Sequence, residues 1–288
     1  MKISNDFDLP EAFVGFAEAD PYSKGDADFS VTELLDSPRI SRLSALHHDE
    51  IVEDVSGMVP ALLGTAIHSV LERGAPVGDI VEERLYIVVD GKIISGGIDL
   101  QEPDLDAVII SDYKTCSASA LKWNPNGKPA WTEQLNLYAT LVEANGKFCS
   151  GLNVVAILRD WMKVRADREP DYPQQSIVKV AVPLWDPEVR DELIRERVAA
   201  HTVEDLPLCS SEERWQKKVT YAVLQGNYKR AKHVASTMIE AETFAEQIPN
   251  SRIEERGGEN VRCLNYCPVA EFCDQWKSIQ KLGEKEDG

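Results

Sequence analysis

The spacing of apolar residues along the chain predicts alternating helices and strands. Residues 60–74, PALLGTAIHSVLERG, carry apolar side chains at helical intervals between an early proline and a final glycine, which predicts a helix. The segments ERLYIVV and KIISGGI flank Asp90-Gly91, a dipeptide typical of two-residue hairpins, and predict two antiparallel strands. Residues 107–110, AVII, are apolar at every position, which favours a third strand buried on both faces.

The pattern continues with further helices and strands on both sides of these three strands. They are a helix over 130–146, strands within 151–161 and 175–184, and a helix over 187–202 with Asp186 as its N-cap. Upstream, a helix is predicted to start at Ser30 or Thr32 and to end at Pro38. The order of helix, three strands, helix and strand predicts an α/β fold with a mixed central sheet flanked by helices.

Composition divides the chain into three predicted regions. Residues 1–28 are acidic with scattered Pro and Gly, which predicts an irregular N-terminal arm. Residues 29–204 contain the α/β core, and residues 205–288 form a C-terminal region of helices and cysteines. Near the start of this last region, a loop over residues 204–216 is predicted to lead into a helix. A strand–helix–strand segment is predicted over residues 228–256.

The formal net charge of −18 argues against broad, non-specific attraction to nucleic acid. It does not exclude a nucleic-acid enzyme, because divalent metals and a local basic groove can offset acidity where a phosphate binds. The candidate residues for such a groove are Lys122, Lys128, Arg159, Lys163 and Arg165.

The chain shows neither a signal peptide nor a membrane-spanning run. Its N-terminus has no apolar h-region, and no segment approaches the ~18 consecutive apolar residues of a membrane helix. We therefore expect a cytoplasmic protein without a membrane partner. In that setting the six cysteines are expected to be reduced thiols or metal ligands rather than disulfides.

Two acids and a lysine are predicted to converge at strand ends. Asp112 and Lys114 follow the apolar run of residues 107–110, and Asp99 ends the strand before it. Carboxylates suit Mg²⁺ or Mn²⁺, and a bound ion lowers the pKa of its water. Lys114 lies on the same side of the strand as Asp112, where it can orient that water or stabilise charge on a phosphate. From Asp-x-Lys alone, a simple salt bridge is the favoured alternative.

Two predicted helices add polar side chains to this group. His68 lies on the helix before the strands, and Gln134 and Tyr138 lie one turn apart on the helix after them. Taken singly, a helical histidine is more often packed or solvated than a ligand, and a Gln/Tyr pair is more often an ordinary helix surface. Glu72 shares a helix face with His68 and is the candidate acid to orient the histidine ring by a hydrogen bond.

The order of these short motifs resembles a known nuclease family. Gly-x-x-x-His, Gly-x-Asp, Asp-x-Lys and Gln-x-x-x-Tyr follow one another within about 75 residues. This order resembles the RecB-like branch of the PD-(D/E)XK nuclease superfamily, which includes RecB and AddB nuclease domains and CRISPR-associated and phage exonucleases. The resemblance covers residues 29–160, with a second patch at residues 263–273. It implies a restriction-endonuclease-like core within residues 29–204.

The resemblance also implies roles for the site residues. His68, Asp99 and Asp112 would be ligands of Mg²⁺ or Mn²⁺, assisted by the backbone carbonyl of Tyr113, and Lys114 would be the catalytic lysine. Gln134 and Tyr138 would orient that lysine or contact the DNA backbone.

At the level of function, the resemblance implies a DNA exonuclease that acts on ends or single strands. Its expected setting is recombination, repair or phage replication in the cytoplasm of a bacterium, with the gene carried by the bacterium or a phage. A recombination or single-strand annealing or binding protein is the expected protein partner.

The C-terminal cysteines form a second candidate site. Cys263, Cys267 and Cys273 lie within eleven residues, a density that favours metal binding over a cluster of small buried side chains. Both zinc and iron–sulfur clusters accept cysteine thiolates. The resemblance favours a [4Fe–4S] cluster, because many RecB-like nucleases hold one with a similar triad; Zn²⁺ is the alternative.

The fourth ligand of that cluster is not in the usual place. In RecB-like nucleases it lies beside a proline near the N-terminus, where this chain has Ser37 before Pro38. Cys209 is therefore the expected substitute. Cys116, beside the acidic residues, and Cys149, expected to end a helix, are interpreted as packing residues.

Two other classes of function remain open at this level. One is a nucleic-acid-binding module of nuclease fold that lacks catalytic activity, and the other is a metalloprotein with a structural zinc knuckle that does not act on nucleic acid.

Overall fold

The computed structural model describes residues 1–19 and 23–286 and divides the chain into two compact units. The first consists of Met1–Arg42 and His48–Leu206, and the second of Leu43–His47 and Pro207–Gly288. Within the described part of the chain, no helix combines the length and apolar character needed to cross a membrane.

The first unit contains eight strands and most of the helices of the described chain. The strands are β1 (Lys2–Ser4), β2 (Phe29–Ser30), β3 (Val52–Asp54), β4 (Ile80–Val89), β5 (Lys92–Asp104), β6 (Ala107–Cys116), β7 (Phe148–Leu158) and β8 (Ile177–Val182). The helices are α1 (Glu11–Glu18), α2 (Val31–Leu35), α3 (Pro38–Leu46), α4 (Val59–Gly74), α5 (Ala118–Trp123), α6 (Pro129–Ala144), α7 (Lys163–Ala166) and α8 (Pro187–Thr202). The residues of α3 from Leu43 onward belong to the second unit. A short 3-10 helix covers Val55–Gly57.

Six of these strands form a mixed central sheet. Its order is β2-β5-β6-β7-β8, and β4 pairs with the opposite edge of β5. Neighbours run antiparallel except for β2 with β5 and β6 with β7, which run parallel. The predicted α/β fold with a mixed sheet flanked by helices is confirmed, and so is the hairpin at Asp90-Gly91, where Val89 pairs with Lys92.

Strand β5 changes partners along one edge, and this opens a fork in the sheet. Its first half pairs with β2 as far as Ser95, and its second half pairs with β6 from Leu100 onward. Between these positions the edge of β5 has no strand partner among the described residues. Strand β6 leaves β5 after Ser111 and continues beside β7 alone. The fork therefore leaves the edge of residues 96–99 unpaired within the described chain, next to residues 112–114.

Helix α6 covers this part of the sheet. Most of its residues are buried, including Leu135, Leu137 and Leu141, because it packs on the central strands while α2 and α8 pack on it. Gly96 of β5 allows the close approach, since a Cβ atom there would lie 2.9 Å from a ring carbon of Tyr138. Helix α2 is fixed by a capping box in which Ser30 and Glu33 exchange hydrogen bonds.

Three local predictions differ from the structure. The helix predicted from Ser30 is α2, which ends at Leu35, but Pro38 also begins a second helix, α3, because a proline is well suited to the first turn, where its missing N–H is not needed. The expected irregular arm contains β1, which pairs with β3, and helix α1. Cys149 lies in strand β7 rather than at the end of a helix, since the helix before it stops at Ala144.

The second unit contains a small antiparallel sheet and a helical C-terminal part. Its elements are β9 (Thr220–Gln225), β10 (His233–Ala235), α9 (Met238–Ala245), β11 (Ser251–Arg256), α10 (Val261–Asn265), a 3-10 helix (Ala270–Phe272) and α11 (Asp274–Glu286). The strands are ordered β10-β9-β11, and α9 packs on them around Val223, Ala235 and Ala241. The strand–helix–strand prediction is confirmed. The helix predicted after residues 204–216 is wrong, because residues 220–225, TYAVLQ, form β9, the central strand of the small sheet.

Candidate metal and catalytic site

Register aligns three carboxylates across three adjacent strands. The β4–β5 ladder pairs Val81 with Leu100 and Glu83 with Ile98, so Glu82 occupies the position facing Asp99. The β5–β6 ladder ends at Leu100 with Ser111, and the next facing position on β6 is Asp112. We call Glu82, Asp99 and Asp112 the acidic row. Like charges at facing positions destabilise a sheet, so the row indicates a site that holds a cation.

A second row of different charge runs beside the first. Arg84 and Lys114 lie two residues after Glu82 and Asp112, and Gly97 lies two residues before Asp99 on the antiparallel strand β5. The middle position is a glycine, and a Cβ atom there would lie 3.3 Å from Nη2 of Arg84. The missing side chain at Gly97 therefore leaves the space between the two cations open, next to the acidic row.

The two aspartates are buried and held by specific contacts. Asp99 is 8% exposed and accepts a hydrogen bond of 2.7 Å from the backbone N–H of Tyr113. Asp112 is 2% exposed, and its Oδ2 lies 2.7 Å from Nζ of Lys114. No hydrogen bond from another described residue to Oδ2 accompanies this ion pair. The remaining lone pairs of Oδ2 can therefore bind a cation.

Helix α6 contributes a polar pair to the same site. Gln134 donates hydrogen bonds from Nε2 to the hydroxyl oxygen of Tyr138 at 2.8 Å and to Oδ1 of Asp112 at 3.3 Å. The resemblance noted in the sequence predicted that these two residues orient Lys114 or contact DNA. The structure places the amide of Gln134 on Asp112, so the pair fixes the carboxylate with which the lysine is paired.

His68 reaches the acidic row from helix α4. Its Nδ1 lies 3.0 Å from Oε1 of Glu82 and 3.7 Å from Oδ1 of Asp99. The hydrogen bond to Glu82 raises the pKa of His68, because the carboxylate stabilises the protonated ring. The expected partner of His68 was Glu72, but the acid that contacts it is Glu82 of strand β4.

Glu82 is the site residue that motif spacing missed. Its backbone has a φ of 49°, in the left-handed region, and the β4–β5 ladder is interrupted at this one position. A signal for it was present in the sequence, since the two-residue turn at Asp90-Gly91 pairs Val89 with Lys92 and so places position 82 opposite position 99.

The site fits a divalent cation on electrostatic grounds. Burial and the nearby charge of Asp112 raise the pKa of Asp99 to about 7, because its charged form is poorly solvated and repelled. Ligand atoms of His68, Glu82 and Asp99 lie within 4.8 Å of one another. Oxygen-rich donor sets of this kind suit Mg²⁺ or Mn²⁺, and the ion's charge offsets the repulsion within the row.

These side chains line one pocket in the first unit. Its cavity of about 230 Å³ is bordered by both rows and by His68, Gln134 and Tyr138. The five residues considered for a basic groove do not border it, and three of them, Lys122, Lys163 and Arg165, pair with nearby acids. Among the described residues, the lysine and arginine side chains that border this pocket are those of Lys114 and Arg84.

The C-terminal cysteines form a separate group in the second unit. Cys209 and Cys273 are buried, and Cys263 and Cys267 are partly buried. Burial and the proximity of the other three thiols raise the pKa of Cys263 to about 11. Burial also raises the pKa of Cys267. All four sulfurs are therefore close enough to interact electrostatically, whereas Cys116 and Cys149 lie in the first unit on β6 and β7.

The backbone of Cys209 is held by side chains of the same unit. Its N–H donates to Oε1 of Gln275 at 2.8 Å, and its carbonyl accepts from Nε2 of the same side chain at 2.9 Å. Arg214 also donates to that carbonyl. Gln275 lies two residues after Cys273, so this clamp connects the segment of Cys209 to the end of the cysteine triad.

Comparison with known proteins identifies a family and shows a likeness to a solved structure. The family model of the PD-(D/E)XK nuclease superfamily matches residues 75–274. The crystal structure of SSO0001 resembles the chain at 19% sequence identity and a TM-score of 0.46, covering 66% of this chain and 84% of that one. No curated protein sequence matches the chain.

Proposed function

The chain belongs to the PD-(D/E)XK nuclease superfamily, a group of metal-dependent nucleases, and from this premise we propose that it is a DNA exonuclease that uses Mg²⁺ or Mn²⁺. We assign it to the RecB-like branch. The observation that carries the proposal is the fork between β5 and β6, which brings Asp99, Asp112 and Lys114 to one pocket.

The acidic row and His68 would hold the divalent ion. Asp99 and Asp112 supply carboxylate oxygens, His68 supplies a ring nitrogen, and Glu82 lies within reach of both His68 and Asp99. The backbone carbonyl of Tyr113 remains a proposed further ligand. When bound, the ion lowers the pKa of its water and neutralises charge that develops on the phosphate.

The other pocket residues would position the DNA phosphate and the attacking water. Lys114, held by Asp112, orients the water and stabilises charge on the phosphate oxygens. Arg84 binds the phosphate across the gap left by Gly97, because a guanidinium matches phosphate geometry. Gln134 and Tyr138 hold Asp112 in place.

Cleavage of end-labelled DNA tests this proposal. Linear and covalently closed circular DNA, each single- and double-stranded, are incubated with Mg²⁺, Mn²⁺ or EDTA. We expect metal-dependent shortening of linear DNA, much slower attack on circles, and loss of cleavage in Lys114→Ala. Lys179→Ala is the matched control, because Lys179 is an exposed lysine of β8 outside the pocket.

Three results would count against it. Undiminished cleavage by Lys114→Ala overturns the assigned site, and equal rates on circular and linear DNA overturn the exonuclease assignment. DNA binding with no cleavage under any metal condition identifies a silent binding module.

The proposed setting is the cytoplasm of a bacterium, with the gene carried by the bacterium or by a phage that infects it. The proposed protein partner is a recombination protein or a single-strand annealing or binding protein.

A second proposal concerns the C-terminal region of residues 205–288, where Cys209, Cys263, Cys267 and Cys273 would hold one [4Fe–4S] cluster. Support comes from the mutual influence of the four thiols and from the clamp on Cys209. The similarity of the triad Cys263, Cys267 and Cys273 to that of RecB-like nucleases favours the cluster. Zinc on the same thiolates is the alternative.

Metal analysis of anaerobically purified protein tests the cluster. We expect about four irons per chain, with most of this iron lost in Cys209→Ser and retained in Cys116→Ser and Cys149→Ser. A colourless preparation with one tightly bound zinc would replace the cluster by a zinc knuckle. Full iron retention in Cys209→Ser would show that the fourth ligand lies elsewhere.

A further inference from the structure

The second unit contains a basic segment that contrasts with the rest of the chain. Residues 1–206 contain 36 acidic residues (Asp or Glu) and 19 basic residues (Lys or Arg). Residues 207–288 contain 13 acidic and 12 basic residues, so their charges nearly balance. Within the latter, residues 217–233 have five Lys or Arg and no Asp or Glu. A positive segment of this kind in a chain of net charge −18 is a candidate surface for an anionic partner.

Three of these cations lie on one loop of the small sheet. Residues 226–232 connect the antiparallel strands β9 and β10 and include Lys229, Arg230 and Lys232. Both ends of the loop are fixed by backbone hydrogen bonds, from Gly226 N–H to the carbonyl of Asn250 and from Lys232 N–H to that of Val223, each 2.8 Å. We call residues 226–232 the basic loop.

The charges of the basic loop are not neutralised by nearby acids. Within the described chain, no ion pair involves Lys229, Arg230 or Lys232, and all three are exposed. Three of the acids nearby in the sequence of this unit have other partners. Glu240 bonds His233 and Ser236, Glu254 pairs with Arg256, and Glu259 pairs with Lys217.

An exposed aromatic ring lies among these cations. Tyr228 is 67% exposed, and Nζ of Lys232 lies 5.9 Å from the centre of its ring. An exposed ring flanked by cations is the combination with which proteins bind single-stranded nucleic acid, because bases stack on the ring while phosphates contact the charges. A duplex offers its phosphates but not its stacked bases, so the ring favours a single strand.

We propose that the basic loop binds single-stranded DNA outside the nuclease pocket, with phosphates on Lys229 and Arg230 and a base stacked on Tyr228. The choice of DNA rests on the proposed nuclease function, whereas the surface itself rests on the charge and exposure of the loop. The loop would hold the strand without taking part in cleavage.

Fluorescence anisotropy with a labelled dT20 oligonucleotide in EDTA tests this proposal, because cleavage does not occur without metal. Two phosphate contacts to a single strand contribute about 0.7 log unit each at 0.1 M salt. The double variant Lys229→Gln/Arg230→Gln should therefore weaken binding roughly 20-fold and make the salt dependence shallower by about 1.4 in slope. Circular dichroism and thermal melting establish that each variant is folded.

Matched variants make the test specific. Lys277→Gln/Lys281→Gln removes the same charge from exposed positions of α11 and should leave affinity within about twofold, because these lysines do not belong to the basic loop. Tyr228→Ala should weaken binding of dT20 about fivefold or more, with little effect on a duplex, while Tyr228→Phe should keep the affinity because it retains the stacking ring.

The outcomes separate this inference from the proposed nuclease function. Equal affinity of the loop variant and the α11 control overturns the basic loop as a DNA site, whether or not DNA is cleaved. An equal loss from Tyr228→Ala on duplex and single strand overturns the single-strand assignment. Loop-dependent binding of dT20 in a protein that never cleaves DNA would overturn the nuclease function and leave the loop assignment in place.

Discussion

Glu82 shows how a single side chain can belong to a site through strand register alone. It faces Asp99 across β4 and β5, contacts His68, and adopts a left-handed backbone conformation that a non-glycine residue enters only at a cost in free energy. Strain and like charge at the same position are both unfavourable to folding. A bound cation offsets the repulsion between the like charges. A role of Glu82 in metal binding can therefore be tested directly by substitution.

Substitution of Glu82 by Gln should weaken binding of Mn²⁺ about tenfold or more, because groups that contact or orient metal ligands typically contribute that much. The measurement is Mn²⁺ binding by electron paramagnetic resonance or calorimetry, without DNA. Glu72→Gln is the matched control, since Glu72 lies on the helix of His68 but does not border the pocket. An equal loss of Mn²⁺ affinity in the control would contradict the role of Glu82.

Asp99 should link the stability of the first unit to pH. Its folded pKa of about 7 lies above the ordinary value of 3.8, so the native state binds more protons than the unfolded state between these values. The free energy of unfolding should therefore fall as pH rises from about 4 to about 7 without a divalent ion. Mn²⁺ binds the charged carboxylate, so its stabilising effect should be larger at pH 8 than at pH 5.5.

Thermal melting in EDTA and in Mn²⁺ at the two pH values measures this linkage. Asp99→Asn should lose most of the Mn²⁺ effect and flatten the dependence of melting temperature on pH in EDTA. A Mn²⁺-induced shift of equal size at both pH values would contradict the assignment of Asp99 as the titrating ligand.

At the scale of elements, the contact between α6 and β5 determines the geometry of the fork. Gly96 makes this contact possible, because an added Cβ atom would lie 2.9 Å from the Tyr138 ring and 3.0 Å from Leu141. Gly96→Ala should lower the free energy of unfolding by about 1–3 kcal/mol through overpacking. It should also reduce cleavage, since Tyr138 bonds the side chain that holds Asp112.

Gly151→Ala provides the matched control for this substitution. Gly151 also lies in a strand of the central sheet, but an added Cβ atom would be 3.7 Å from Ile109, an ordinary contact distance. Urea denaturation of both variants compares their stabilities. Equal destabilisation would show that the cost belongs to any strand glycine rather than to the approach of α6.

The elements that the sequence predicted well are those whose signals are local. The hairpin at Asp90-Gly91, helix α6 and the apolar strand β6 each follow from a turn dipeptide or a hydrophobic period. Motif spacing brought His68, Asp99, Asp112 and Lys114 into one group, and the structure places them around one pocket. Their catalytic and ligand roles stay predictions.

The features that could not be predicted from the sequence depend on pairing between distant segments of the chain. Glu82 required the register of two strands, and the bond from Gln134 to Asp112 required the packing of α6 on the sheet. Strand β9 was missed because its neighbours, β10 and β11, are supplied by residues further along the chain. The start of α3 at Pro38 was missed because proline both ends and begins helices.

At the scale of the whole molecule, the two units have separate hydrophobic cores and separate candidate metal sites. The first core includes Ile98 and Ile110 beside the acidic row, and the second is built from Val223, Ala235 and Ala241. Each candidate site lies within one unit, since the acidic row belongs to the first and the four C-terminal cysteines to the second. Ligand binding at one site should therefore stabilise its own unit most.

Hydrogen exchange measured by mass spectrometry should resolve this division. Mn²⁺ should slow exchange in peptides from residues 92–116, whereas Cys263→Ser should speed exchange in peptides from residues 207–281 by removing a cluster ligand. Cys149→Ser, on β7, should leave the second set unchanged. If Cys263→Ser instead loosened residues 92–116 as strongly as residues 207–281, the two units would have to be one cooperative structure, and the loss of iron would then act on the nuclease pocket directly.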